Sequence, residues 1–255
     1  VNPLTLTPTP SPTSGRGANI TAEKNIYDSQ AEQYERLVAR EDYQGNILSA
    51  LRRITPFEGL EVLELGAGTG RLTRLLAPEV HRITAFDLSL SMLQVAASEL
   101  RNLTDLASWH LAAADHRYLP VRAGVADVVL SGWSICYLVT WNEARWQDEL
   151  DLALVEIQRA LRPGGKIILL ETLGTGFERP TAPEHLTQYY RYLEAQGFHP
   201  TWIRTDYRFE SLAEAEELSS FFFGEELANK VVQHRWTILP ECTGIWWKTA
   251  TDQHS

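Results

Sequence analysis

Cysteine is scarce in this 255-residue chain. Its two copies, Cys136 and Cys242, stand far apart with no Cys-x-x-Cys spacing, so neither a disulfide framework nor a zinc site is indicated and a reducing compartment is expected. Long apolar runs are missing as well. Nothing approaches the roughly 20 consecutive apolar residues that cross a bilayer, and no basic start followed by an apolar stretch marks a signal peptide. We therefore expect a cytoplasmic protein with no membrane partner. Basic residues are the minority, 23 against 33 acidic, for a formal net charge of -10, which disfavours a partner held through phosphates and argues against nucleic acid. Met92 is the only methionine, so Val1 is either not the initiator or reflects an alternative start codon.

The most informative stretch runs from Val62 to Gly70. Val62, Leu63 and Leu65 form the short apolar run of a parallel strand covered on both faces. Gly66, Gly68 and Gly70 then alternate, which removes the Cβ atoms that would keep a ligand off the backbone and permits the positive φ angles of a tight turn. Leu72, Leu75 and Leu76 open a helix immediately afterwards. A strand, a glycine turn and a helix N-terminus make a nucleotide-sized cradle.

Residues 1–20 are rich in Thr, Pro, Ser and Gly and are expected to form a disordered leader. Residues 21–255 are read as a single domain: N-terminal helices over 21–55, a core over 60–210, a helical insertion over 211–235 and a last strand over 244–249. Tyr27, Ala31, Tyr34 and Leu37 recur at helical spacing and give the first helix an aromatic face, which serves either packing or ligand contact. A second helix, about 45–54, stops before Thr55-Pro56. Strands are expected at 82–87, ending on Asp87; at 109–114, followed by Asp115; at 124–131; and at 166–171. A helix bearing Trp146, Leu150, Leu154 and Ile157 precedes the last of these, and Arg162-Pro163-Gly164-Gly165 terminates it. Further on, a helix over 184–196 displays Tyr189 and Tyr190, a strand covers 201–209, a helix covers 212–232, and a final strand follows. Alternating strand and helix predicts a Rossmann-like α/β fold, doubly wound, with a mostly parallel seven-stranded sheet. The last strand is expected to run antiparallel, and the helical insertion to lie between the last two strands. An acid about 20 positions past the glycine turn, here Asp87, is well placed for both ribose hydroxyls.

With these positions assembled, the chain resembles the class I S-adenosylmethionine-dependent methyltransferases, particularly those acting on small molecules. Glu64-Leu65-Gly66-Ala67-Gly68-Thr69-Gly70 is similar to the family's first motif, Asp87 to its ribose-binding acid, Asp115 to its adenine-reading acid, and Leu161 to Lys166 to its turn before the fifth strand. Dinucleotide oxidoreductases use a related glycine turn but want Gly or Ala where this chain has Arg71. The resemblance implies that S-adenosylmethionine is the cofactor, with S-adenosylhomocysteine as product and no metal. It also implies roles for individual residues. The turn Gly66, Ala67, Gly68 and Gly70 would lie under the methionine part, with Glu64 toward its ammonium group. Leu88 and Met92 would pack on the adenine, and Ala114, Asp115 and His116 would read its edge. Ser131 would face the methionine carboxylate, and Tyr34 would approach from the first helix.

Methyl transfer needs alignment more than covalent help, because the sulfonium already activates the methyl group. His116, Tyr137, Glu171 and His185 are the available general bases should the acceptor need one. Trp133, Tyr137, Tyr189 and Tyr190 are expected to wall the acceptor pocket at the carboxyl end of the sheet, with core packing as the alternative, and Phe221 to Phe223 belong to a lid over that pocket, to a packing stripe or to a dimer interface. Amino-methylating nucleic-acid enzymes carry Asn or Asp and then Pro-Pro-aromatic after the fourth strand, whereas this chain reads Ser131-Gly132-Trp133-Ser134. The expected partner is thus a small-molecule acceptor, with the protein a monomer or homodimer. A peptide acceptor, or a cofactor-binding protein without turnover, are the alternatives.

Overall fold

The structure is a computed structural model that describes Tyr27 and residues 29–103, 108–141 and 144–250. The expected leader over 1–20 and the first residues of the expected N-terminal helix lie outside these. Helices α1 (Ala31–Val38) and α2 (Asn46–Ile54) lead into strand β1 (Glu61–Leu65). The chain then alternates: α3 (Arg71–Leu76), β2 (Arg82–Asp87), α4 (Leu90–Arg101), β3 (Ser108–Ala113) and β4 (Ala126–Gly132). Next come α5 (Cys136–Thr140), α6 (Trp146–Ala160), β5 (Leu161–Thr175), α7 (Thr187–Ala195) and β6 (His199–Arg204). The remainder is β7 (Tyr207–Arg208), α8 (Leu212–Phe223), α9 (Glu225–His234), β8 (Ile238–Leu239) and β9 (Glu241–Thr249).

Seven strands form one sheet in the order β3-β2-β1-β4-β5-β9-β6. Pairing is parallel from β3 to β5, and β9 runs antiparallel to both β5 and β6. The chain steps outward from β1 to β3 and then returns to place β4 on the other side of β1. That reversal parts the loops that follow β1 and β4 and leaves a crevice at their carboxyl ends. Helices cover both faces. Val128 and Leu130 of β4 pack with α2 and α3, through residues such as Ile47, Leu51, Leu72 and Leu76. Val129, between them, faces the opposite layer with Leu150 and Ile157 of α6 and Tyr189 of α7. Successive residues of this strand therefore supply two cores, and it holds no polar side chain before Ser131 but Asp127 at its amino end. A third cluster forms where Leu37 of α1 meets Tyr207, Phe209, Leu218, Val231 and Leu239 of the whole segment between β6 and β9, called the insertion from here on.

Several boundaries differ from the sequence reading. β5 pairs already at Leu161 with Ala126, and its register shifts before Val128 is reached, so the Arg162 to Gly165 turn is a bulge inside a longer strand. Arg162 ties that bulge to Asp127 through a 2.7 Å ion pair. The single helix expected over 212–232 is two, because Gly224 adopts φ 86°, ψ 173° and interrupts it. The strand expected over 201–209 breaks into β6 and β7, where Thr205 and Asp206 turn to bond β9: Thr205 N donates to the Glu241 carbonyl at 3.0 Å, and the Asp206 carboxylate accepts the Glu241 N–H at 3.0 Å. The same contacts start β9 at Glu241, three residues before the expected Gly244. α2 ends as expected, with Thr55 extended ahead of Pro56.

Leu130 is fully buried between β1 and β5, whereas Leu152 on α6 is an exposed leucine. Leu130→Ala should lower the unfolding free energy by about 2–5 kcal/mol in urea denaturation, and Leu152→Ala by no more than about 0.5 kcal/mol.

Candidate cofactor and acceptor site

The glycine turn takes the geometry its sequence demands. Gly66, Gly68 and Gly70 have φ of 72°, 54° and 87°. The N–H groups of Gly66 and Ala67 donate to the Phe86 carbonyl at 2.7 and 2.9 Å, which pins the turn to the end of β2. A Cβ on Gly66 would lie 1.9 Å from Ser134 Oγ, and one on Gly70 would lie 3.1 Å from the Cβ of Ala96 on α4. Asp87 closes the turn from the other side: Oδ2 accepts the Gly68 N–H and Oδ1 the Ser89 N–H, each at 2.8 Å. Burial pushes the Asp87 carboxyl up, and these backbone donors oppose that shift. Ser89 also caps α4 by accepting the Met92 N–H, and the hydroxyls of Ser89 and Ser91 both donate to the Tyr27 carbonyl, at 2.6 and 2.8 Å.

A cavity of about 720 Å³ opens beside this turn, at the carboxyl ends of β4 and β5 and beneath α1 and α8. Trp133 enters it directly after β4 with φ 50°, a left-handed conformation that is costly for any residue with a side chain. Its ring carries the Arg71 guanidinium 3.8 Å from the centroid. Arg71 is paired with the buried Glu41, which also accepts the Tyr207 hydroxyl at 3.1 Å. Tyr207, Phe222 and Phe223 of the insertion supply an aromatic wall. Two more buried carboxyls line the cavity. Glu171 accepts the Tyr189 hydroxyl at 2.9 Å and the Cys136 N–H at 3.2 Å through Oε1. Glu241 accepts the Thr172 hydroxyl at 2.8 Å through its own Oε1. Among the described residues, Oε2 of each has no hydrogen-bond partner. Burial raises Glu171 to about 7 and Glu241 to about 8.

Residues 63–169 match the family described as a methyltransferase domain. Over that stretch the chain is similar to the class I S-adenosylmethionine-dependent methyltransferases. Similar proteins carry several methyltransferase names. Malonyl-acyl-carrier-protein O-methyltransferase of Salmonella typhimurium is 32% identical over 158 residues, 62% of this chain and 56% of that protein. A ubiquinone/menaquinone biosynthesis C-methyltransferase of Vibrio parahaemolyticus is 27% identical, over 73% of this chain and 68% of that protein. Among solved structures, phosphoethanolamine N-methyltransferase 2 of Haemonchus contortus superposes with a TM-score of 0.58 at 19% identity, covering 91% of this chain and 60% of that one, a likeness of fold alone. The chain spans about half the length of the first of the curated relatives it matches, 46% to 56%.

The residues of this methyltransferase fold suit the family's cofactor. Each Asp87 oxygen accepts one N–H and keeps a lone pair for a ribose hydroxyl. Thr69 holds a buried Oγ1 without a partner inside the turn. Leu88, 63% exposed beside Asp87, offers an apolar surface of the kind a flat ring covers. Other expected contacts sit differently. Met92 is buried, 1% exposed, beneath the site. Asp115 is gripped by Arg117 at 2.5 and 2.8 Å, and this guanidinium holds its carboxyl below the ordinary range despite desolvation. The same Arg117 also bonds Glu149. Ala114 donates its N–H to the Asp87 carbonyl at 3.2 Å. Glu64 is buried, accepts the Thr73 hydroxyl at 2.5 Å and is raised by burial to about 7. Ser131 donates to the Leu65 carbonyl at 3.0 Å, which joins β4 to β1. Tyr34 reaches the turn: its ring edge lies 3.9 Å from where a Gly68 Cβ would sit, and it lines the cavity as well.

Of the candidate bases, Tyr137, Glu171 and His185 line the cavity. His116 does not; it lies beside Gly66, 3.3 Å from Ser134 Oγ, and burial lowers it to about 4, so it is neutral at pH 7. Trp133 and Tyr137 line the cavity, whereas Tyr189 and Tyr190 do not. The helical spacing of these two tyrosines reports core packing instead. Tyr189 is fully buried on Glu171, and Tyr190 stacks on Trp246 at 4.4 Å and donates to the Thr172 carbonyl. Phe222 and Phe223, but not Phe221, are among the lining residues. Sequence reasoning missed Glu41, Arg71 and Glu241 as a group. An acid just ahead of the expected last strand was the available signal for Glu241.

The raised acids make stability depend on pH. Glu64, Glu171 and Glu241 lose their protons near 4.5 in the unfolded chain but hold them to about 7, about 7 and about 8 when folded, so folding takes up protons in between and stability falls as pH rises. His116 acts with the opposite sign, but only up to its ordinary 6.5. Between pH 6.5 and 8 the unfolding free energy should therefore decline by up to about 1.4 kcal/mol per unit for each acid still protonated. Urea denaturation across that interval checks it: the Glu171→Gln, Glu241→Gln double variant should reduce the decline, and a wild-type stability that climbs instead would contradict it.

Proposed function

We propose that this protein is an S-adenosylmethionine-dependent methyltransferase that moves a methyl group by in-line displacement to a small-molecule acceptor held in the 720 Å³ cavity. The observation that carries this reading is one short loop with two faces. Ser134 touches the glycine turn while Trp133, its neighbour, walls the cavity, so donor and acceptor would meet across the 131–134 segment. When bound, the cofactor supplies a methyl group already activated on a sulfonium. The chain's own residues have the remaining tasks. Asp87 and the backbone of the turn fix the nucleoside end, and the neutral His116 and Ser134 lie against Gly66, where the methionine part would pass. Trp133, Tyr137 and the insertion's Phe222 and Phe223 exclude water from the acceptor and set its orientation, which is the main source of rate in such a displacement. We take residues 21–255 to act as one unit in this, because Tyr34 in the N-terminal region and Tyr207 in the insertion both line the cavity. The malonyl and quinone-pathway names of the relatives support a small-molecule or carrier-bound acceptor.

Titration calorimetry with S-adenosylhomocysteine tests the donor half. Asp87→Ala removes the acceptor of two hydroxyl bonds, each worth about 1.5–3 kcal/mol to a charged group, and should weaken binding by roughly 100-fold. Wild-type affinity in that variant, or no affinity in the wild type, would sink the assignment. Methyl transfer to an acceptor library then separates an enzyme from a binding protein.

A further inference from the structure

We propose that the cavity selects an acceptor bearing an alkylammonium group, held between the partnerless oxygens of Glu171 and Glu241 and against the aromatic wall of the insertion. This rests on the methyltransferase reading for the word acceptor, and on the cavity alone for the choice of ligand. Glu171 and Glu241 are 1% and 2% exposed, and each keeps one oxygen with no hydrogen-bond partner among the described residues. Both line the same space. Arg71 is the only Lys or Arg among the described lining residues, and Glu41 already pairs with it; His185 and Glu184 line the cavity as well. A buried carboxyl oxygen without a partner is a standing cost that a fold retains only where something else meets it. An ammonium group meets both: it brings three N–H donors and the missing charge. Tyr207, Phe222 and Phe223 line the same space and offer an apolar surface to the rest of such an acceptor. An anionic group, by contrast, would face two acids and an arginine that is already satisfied.

The position of the pair in the fold agrees with this. Glu171 lies toward the carboxyl end of β5 and Glu241 opens the antiparallel β9, and Thr172, the residue after Glu171, donates its hydroxyl to Glu241. Among the described residues, Glu41 Oε1 and Thr140 Oγ1 of the same cavity also lack a hydrogen-bond partner. Glu171 is faced by the Tyr189 hydroxyl and by Cys136, and Glu241 by the Thr175 hydroxyl, by the Glu41–Arg71 pair and by Tyr207. Tyr190 lies near both acids, and its hydroxyl is bonded to the Thr172 carbonyl. Cys242 lies near Glu241 and bonds the Phe177 carbonyl.

The test is calorimetry on the full chain saturated with S-adenosylhomocysteine, using 2-phenylethylamine, 2-phenylethanol and phenylacetate as probes matched in size. The amine should bind, the alcohol at least about tenfold more weakly, and the carboxylate not detectably. Glu171→Gln and Glu241→Gln should each weaken the amine by roughly tenfold or more while leaving S-adenosylhomocysteine affinity unchanged. The wild type carries a second readout that needs no variant. At pH 7, repeating the titration in phosphate and in Tris should show protons released as the amine binds, because an acid that is partly protonated in the free cavity ionises beside the cation. Alcohol or carboxylate binding as well as the amine, an amine indifferent to both substitutions, or binding without proton release would each overturn the proposal. So would failure of the amine to bind while S-adenosylhomocysteine does. Amine binding without any S-adenosylhomocysteine binding would leave the cation site standing and remove the methyltransferase reading instead.

Discussion

The structure depends on one constraint: the central strands are covered on both faces, so they have no room for an unpaired polar group along their length. Val128, Val129 and Leu130 of β4 and Ile167 to Leu170 of β5 are all buried aliphatics. Polar chemistry is therefore displaced to where the strands end. Ser131 follows the β4 aliphatics and Glu171 those of β5, and Asp87 closes β2. Glu64, one residue before the end of β1, is the exception, and it is tied at once to Thr73 on the following helix. The reversal of strand order between β1 and β4 then opens a crevice at that same edge. The site is where it is because the sheet leaves its functional groups nowhere else to be.

The insertion between β6 and β9 changes what that edge can do. Without it the carboxyl ends of β4 and β5 would face solvent. With it, Tyr207 and the end of α8 bring rings over the opening, and Leu37 of α1 packs into the same cluster. Closure raises the cost of every charge beneath it, which is why Glu171 and Glu241 titrate far above ordinary carboxylates. The Arg71 and Glu41 pair shows the alternative outcome, in which a buried charge meets its counterpart and stacks on Trp133.

Much of this was legible in the sequence, for identifiable reasons. The parallel half of the fold rests on local signals: apolar runs, a helix stripe on α6, and glycines that require positive φ. β2 and α3 fall on the expected residues, 82–87 and 71–76. The second half was harder. Whether Tyr189 faces a pocket or a core depends on which side of α7 meets the sheet, and periodicity alone is the same in both cases. Gly224 could be read as tolerated or as a break, and only its backbone angles decide. Donor-side candidates were found because a motif fixes their order. Glu41, Arg71 and Glu241 come from three distant segments, and no spacing rule connects them.

Trp133 shows how such a site restricts its own variation. Its left-handed backbone favours glycine or asparagine, by an amount of order 1–3 kcal/mol for most other residues. Its ring is also the surface on which the Arg71 guanidinium rests. The two demands select opposite amino acids. A residue that relaxes the loop abandons the arginine, and a bulky residue that keeps the arginine must accept the loop. Position 133 is thus a compromise between backbone and side chain, and single substitutions there have no free direction in which to drift.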